Sequence, residues 1–472
     1  MTDEQFDIVV VGGGPGGEAC AAHAARSGAR VALVERDKVG GECPYWGCMP
    51  SKALLRPPQA VAELLRTPGA AEGLTGALDV DAAFARRDEV VRHLDDTSHA
   101  ERIQRRGIEI VRGHGRLDGE RRVVVELNDG GRRTLVAAKA VVLAPGSRAA
   151  MPPIDGLVDA NPWTNREATL ADRVPTSLAI LGGGVIAVEL AQAYAAYGSQ
   201  VTIVEFADRL LSREEPEAAQ LVAEALERTG VTVRCGTTTS SVTRLGDGRV
   251  RMDLDTGETI VADELLVATG RVVNVEQLGL ETVGVEPGKN GIIDVTDCMY
   301  VASTDWLFVV GDANGRAQLT HAAVYQARVA ARNALGIETH CVEDNVAAAR
   351  VVFTEPNLCG VGHTLQSARD AGLNVTSVDR DPQRTAAGSF YGRGTEGFTR
   401  LVVDVDRGVL VGATFVGPDI SELLHSATIA IVGQVPLERL QHCVAPFPTR
   451  SEVWTRCVEA MERDELLSPA LR

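Results

Sequence analysis

Phe6-Asp-Ile-Val-Val-Val11 runs directly into Gly12-Gly-Gly14-Pro-Gly-Gly17, and the architecture of the chain follows from that junction. An unbroken β-branched run, without polar alternation, marks a strand buried on both faces and therefore a parallel sheet. The glycine turn and the Ala-rich stretch after it read as a tight loop opening a helix. Arg30–Glu35 supplies the next strand, which ends in an acid. The same order returns at Ser177–Leu181, Gly182-Gly-Gly184-Val-Ile-Ala187, an Ala-rich helix and the strand Gln200–Glu205. Each acid lies 23 positions after the first glycine of its own turn, and the two copies are offset by 170 residues. One duplicated dinucleotide-binding unit accounts for both, with Ala187 at a position where the fingerprint accepts alanine. Glycines let the backbone approach a pyrophosphate, the helix start offers free N–H groups, and the carboxylate takes ribose hydroxyls. A single glycine turn of this kind also occurs without a nucleotide, whereas two complete units are far more specific.

A chain of 472 residues with 45% hydrophobic residues has material for two to four domains. No stretch approaches eighteen consecutive apolar residues, and the start lacks the basic and apolar regions of a signal peptide, so a cytoplasmic location and no membrane are expected. The formal net charge of −17 argues against a nucleic-acid partner and for a small-molecule substrate. Nine cysteines, an odd number, do not form an extracellular disulfide framework. Of the 47 basic residues only Lys38, Lys52, Lys139 and Lys289 are lysines. In such a chain a Lys inside a motif points to a role for an ammonium, and Lys52 is such a case.

Between the two units lies Gly40-Gly-Glu-Cys43-Pro-Tyr-Trp-Gly-Cys48-Met-Pro-Ser-Lys52. Two cysteines five apart on an ideal helix would have Cα atoms roughly 8–9 Å apart, beyond disulfide reach. A distorted helix start, eased by Pro44 and Gly47, is needed to bridge them. A cysteine at a helix start also has its thiolate stabilised. The alternatives are a zinc site or two buried thiols. Zinc would want a second pair at metal spacing, which is not evident nearby, and no metal is expected.

These motifs resemble the flavoprotein disulfide reductases, the family of dihydrolipoamide dehydrogenase, glutathione reductase and mercuric reductase. The resemblance runs over almost the whole chain. Its pattern G-G-x-C-x4-C-x-P-[ST]-K falls on Gly40–Lys52; Ala144-Pro-Gly146-Ser147, Gly182–Glu189, Ala268-Thr-Gly270-Arg271, Val310-Gly311-Asp312 and Leu319-Thr-His321 follow in order. The resemblance implies an α/β protein with two Rossmann-like dinucleotide-binding domains and a C-terminal α+β dimerisation domain. FAD binding would occupy 1–148 and 274–345, NAD(P) binding 149–273, and the interface domain 346–472. It implies FAD held by Gly12, Gly14, Gly17, Glu35 and Asp312, with the helix opened near Thr320 facing the flavin, and NAD(P)H at Gly182, Gly184 and Glu205. Gly146, Gly270, Gly311 and His321 would be further cofactor-binding residues; for Asp312 a helix cap, and for His321 an interior histidine, is the alternative. Lys52 and Glu189 would pair beside the flavin. Hydride would pass from the nicotinamide to the flavin, then electrons to the disulfide at Cys48, leaving Cys43 as the thiol that meets substrate. Glu205 favours NADH by repelling a 2′-phosphate, with Arg209 the argument for NADPH. The active site would be shared between the subunits of a homodimer.

Two departures limit the implied activity. The family's C-terminal H-P-T-x-x-E reads Phe447-Pro448-Thr449-Arg450-Ser451-Glu452 here. The histidine from the partner subunit serves as acid/base in that family and the glutamate orients it. Glu452 is therefore carried over as a candidate whose partner is missing, and a plain helix carboxylate is the alternative. Loss of such a base typically costs 10²–10⁴-fold. His442 reads as a structural or surface histidine, because the turn at Pro446 separates it from the missing base. The second departure is Pro44-Tyr45-Trp46, whose rings either shape access to Cys43 or pack the core. Mercuric reductase also lacks the histidine but carries a vicinal cysteine pair in its tail, which Asp464–Arg472 does not; Cys443 and Cys457 are isolated. The acceptor is thus left open between a disulfide or thiol-reactive substrate and direct flavin reduction of a quinone, another diffusible acceptor or a metal ion.

Overall fold

The computed structural model describes residues 3–341, 344 and 347–463. The first two residues, the expected domain limit at 345/346 and the tail Asp464–Arg472 lie outside the described residues. The chain divides into two compact units.

The first unit comprises Met1–Pro50, Asp88–Ala150 and Arg271–Asn345. Its central strand, Glu4–Val11, lies between Val31–Glu35 and Arg132–Leu143, and all three run parallel. Ile108–Leu117 joins Val31–Glu35, and Leu307–Val309 joins Arg132–Leu143, again parallel. Ile8, Val9 and Val10 are wholly buried because both faces are covered, which is why the run shows no alternation. The helices Pro15–Arg26 and Thr320–Ala334 share one core with Ile8, Val10 and Leu33, through Ala21, Ala24, Ala327 and Ala330. The other face packs Val9, Val11, Leu143 and Val309. Arg122–Leu127 pairs antiparallel with the ends of its two long neighbours, closing a small meander.

The second unit comprises Ser51–Arg87, Met151–Gly270 and Val346–Arg472. A four-stranded parallel sheet has the order Glu264–Val267, Ser177–Leu181, Gln200–Val204, Thr232–Arg234. The helix Val185–Ala196 is buried from Ala187 to Tyr194, as its almost uniformly apolar sequence requires. The C-terminal part is a five-stranded antiparallel sheet in the order Arg350–Val352, Asn357–Gly362, Val409–Gly417, Phe398–Asp404, Val375–Arg380. The helices Leu424–Val432 and Glu452–Arg463 cover it through Leu424, Ala427, Val453 and Cys457. The strands expected from sequence all form, with ends displaced by at most two residues. No described helix is long and apolar enough to cross a membrane.

Candidate active site

Cys43 and Cys48 are bonded to one another, with Cα atoms 4.8 Å apart, inside the range a disulfide requires. Instead of one distorted helix the chain uses two. The short helix Glu42–Tyr45 ends at Trp46, whose φ of −133° leaves the helical region, and Cys48–Arg66 opens two residues later. Gly47 makes the corner possible: a Cβ there would lie 3.3 Å from the Glu42 carbonyl oxygen and 3.4 Å from the Cys43 Cα. Tyr45 and Trp46 are buried, with ring centroids 5.7 Å apart, and the Tyr45 hydroxyl donates to the Val39 carbonyl. These rings pack the loop from below, so of the two readings of that departure the structure favours packing.

The Cys48 Sγ lies 3.5 Å from the hydroxyl of Thr320. Thr320 opens a 15-residue helix on which no side chain caps the first turn, so the positive end of that helix is beside the sulfur. His321, the next residue, is exposed. Asp312 accepts a hydrogen bond from the Ser147 hydroxyl. Arg271 in turn donates from Nε to the Ser147 hydroxyl at 2.6 Å and from Nη2 to its carbonyl at 2.7 Å. Gly146, Gly270 and Gly311 adopt φ of +65°, +140° and +77°, conformations that favour glycine.

The first glycine turn has a closed side and an open side. A Cβ on Gly12 would sit 2.1 Å from the Ala144 carbonyl oxygen, and one on Gly17 1.8 Å from that of Gly12, whereas above Gly14 the nearest atom is 4.0 Å away. The helix start at Gly14 carries no side-chain cap. Glu35 accepts the N–H groups of Gly13 and Asp37, both at 2.7 Å. Burial pushes its carboxyl up, against those two N–H donors. The second turn repeats this arrangement. Gly182 packs against Ala268, nothing lies within 4 Å of a Cβ on Gly184, and Glu205 accepts from Gly183 N–H and, at 2.8 Å, from Ala207 N–H. Uncapped N–H groups, an open cradle and a carboxylate with lone pairs to spare fit a dinucleotide at each turn. Arg209 donates to the carbonyls of Leu211, Ser212 and Glu214 at 2.7–3.0 Å and is committed to the backbone.

In the second unit Lys52 Nζ meets Glu189 at 2.7 Å, with the glutamate side chain only 3% exposed. The other carboxylate oxygen accepts the backbone N–H of Phe353 at 2.9 Å, and the Lys52 ammonium sits 4.8 Å from the centre of that phenylalanine ring. Sequence reasoning missed Phe353, since an amide contribution from 164 positions away leaves no residue-type signal. It also missed the Arg271–Ser147 bonds, although both residues stand within the quoted motifs. Phe447 is 76% exposed, and His442 is exposed on the same stretch. Glu452 opens the last described helix, is buried, and accepts the N–H of Ala387 at 3.0 Å.

Residues 6–327 match the model of the pyridine nucleotide-disulphide oxidoreductases, and residues 348–458 match the dimerisation domain of the same family. The chain belongs to that family. This oxidoreductase is 34% identical to a mercuric reductase of Acidithiobacillus ferrooxidans over 98% of the chain and 83% of that protein. It is 31% identical to a dihydrolipoyl dehydrogenase of Zymomonas mobilis over 97% of the chain and 98% of that enzyme. Among solved structures, LpdA of Mycobacterium tuberculosis superposes with a TM-score of 0.86 at 26% identity, covering 97% of this chain and 99% of that one. The HOCl-induced flavoprotein disulfide reductase RclA of Escherichia coli, with a TM-score of 0.83 at 24% identity over 96% and 99% of the two chains, shares the fold. The oxidoreductase is an enzyme, a flavoprotein that uses FAD and NAD(P)H and carries a redox-active disulfide, and the expectation of two nucleotide-binding domains followed by a dimerisation domain holds.

Proposed function

We propose that this enzyme passes electrons from NADH through FAD and the Cys43–Cys48 disulfide to an acceptor that is itself a disulfide or a thiol-reactive compound, and that it works as a cytoplasmic homodimer. We assign FAD to residues 1–148 and 274–345, the nicotinamide nucleotide to 149–273 and the interface to 346–472. The observation that carries the reading is the bonded cysteine pair with Cys48 beside the uncapped helix start at Thr320. Bound FAD supplies a two-electron relay between nicotinamide and disulfide. The remaining chemistry belongs to the chain. Gly14 and Glu35 would hold the pyrophosphate and ribose of that FAD, with Asp312 on the chain beyond them. Two electrons and one proton, the hydride equivalent of NADH, would open the disulfide to a Cys48 thiolate, favoured by the helix end, and a Cys43 thiol, whose sulfur attacks the acceptor once its proton is given up. Lys52, four positions after Cys48 in the sequence, is fixed by Glu189 and supplies an ammonium. NADH is favoured because Glu205 confronts the ribose and Arg209 is already bonded to three carbonyls.

Phe447 favours a second reading, in which flavin electrons go directly to a quinone, another diffusible acceptor or a metal ion. A phenyl ring protonates no leaving thiolate, and no such proton is needed for those acceptors. Replacing Cys43 with Ser separates the two. Turnover with the physiological acceptor should fall by at least about 10²-fold, while reduction of bound FAD by NADH in a single turnover persists. Unchanged turnover would leave only the direct route.

A further inference from the structure

Phe206 stands immediately after Glu205 and is 79% exposed. The chain has only nine phenylalanines, and leaving one in water forgoes most of what its burial would contribute. The other large exposed phenylalanines, Phe390 and Phe447, belong to the C-terminal part matched by the dimerisation domain. Phe206 instead sits at the mouth of the second nucleotide fold. Its mount is rigid. The Glu205 carbonyl accepts the N–H of Thr237 at 3.0 Å, the Ala207 carbonyl accepts the N–H of Gly236 at 2.8 Å, and the Ala207 N–H is held by the Glu205 carboxylate at 2.8 Å. An exposed ring on a backbone pinned at both neighbours is preorganised, so ordering it on binding has little entropic cost.

The occupant follows from the rest of the turn. A pyrophosphate at the open cradle of Gly184 and a ribose diol at Glu205 fix the direction of a bound dinucleotide, and the base attached to that ribose emerges next to residue 206. A purine is flat, apolar on its faces and satisfied by stacking. With Arg209 bonded to backbone carbonyls, the nearest basic side chain along the chain offers no competing contact. We propose that Phe206 is the platform on which the adenine of the nicotinamide dinucleotide stacks, which sets affinity through a part of the cofactor remote from the hydride. The inference rests on the second turn being the nicotinamide-nucleotide site.

The test is calorimetric titration of the oxidised, FAD-loaded enzyme with ADP-ribose and, separately, with nicotinamide mononucleotide, for wild type, Phe206→Ala and Phe206→Trp. Phe206→Ala should weaken ADP-ribose by about tenfold, within the range of base–aromatic stacking, and leave the mononucleotide unchanged. Phe206→Trp should restore ADP-ribose binding. Equal affinity of wild type and Phe206→Ala for ADP-ribose would overturn the platform while leaving the site assignment standing. Equal losses for ADP-ribose and the mononucleotide would also overturn it, because the substitution would then have disturbed the whole site. A wild-type enzyme that binds no ADP-ribose would refute the site assignment itself, and the platform with it.

Discussion

Phe447 stands where the family pattern H-P-T-x-x-E has its histidine. It is exposed and apolar, so a histidine placed there would have solvent and space. Phe447→His should raise turnover with a small disulfide such as oxidised lipoamide by about 10²-fold, with a bell-shaped pH profile, because the new imidazole must be neutral to take the Cys43 proton and protonated to return it to the leaving thiolate. No gain would mean that the neighbourhood, rather than the missing base, limits thiol exchange. The other cysteines sort by environment. Burial pushes Cys20, Cys341 and Cys457 up to about 12, whereas Cys443 is exposed. Iodoacetamide on the oxidised enzyme at pH 8 should therefore label Cys443 first and spare those three for hours, as peptide mass spectrometry would read. Phe447 was legible in the sequence because a gap in a familiar pattern is visible. The pairing of Lys52 with Glu189 was legible only through resemblance, because 137 residues separate them.

At the scale of elements, the glycine turns carried the fold into view because their requirement is local: a backbone that must pass within touching distance of another allows no Cβ. The break between Glu42–Tyr45 and Cys48–Arg66 was only half visible. Spacing demanded a distortion, but nothing in residue type distinguished one bent helix from two. The turns also make opposite predictions. Gly17→Ala drives a Cβ to 1.8 Å from the Gly12 carbonyl oxygen, so it should destabilise by upwards of about 3 kcal/mol and yield protein depleted of FAD by absorbance. Gly184→Ala meets nothing within 4 Å. Its melting temperature and FAD content should match wild type while NADH binding weakens about tenfold or more, because only the bound nucleotide is crowded. Equal NADH affinity in that variant would place the pyrophosphate elsewhere.

Taken whole, the molecule stores protons in its interior. Tyr197 is pushed up to about 12 by burial, as are Cys20, Cys341 and Cys457. Unfolded, these groups titrate near 9 to 10. Between those limits the folded chain binds more protons than the unfolded one, so stability falls as pH rises. The melting temperature should be flat from pH 7 to about 8.5 and decline steadily above about 9; a flat profile through pH 11 would contradict the burial of these groups. One long-range feature bears on how the chain tolerates change. Glu189 is held from the far side by the main-chain amide of Phe353, a group that nineteen of the twenty amino acids provide. In a saturation library at codon 353, most variants should reduce their flavin within a few-fold of the parent, losing the ring's contact with Lys52, about 0.5–1 kcal/mol, and its packing against the cluster of Leu54, Phe84 and Tyr197. Proline alone should fall by about tenfold or more. A position that looks permissive to every ordinary survey would still be one the catalytic centre depends on.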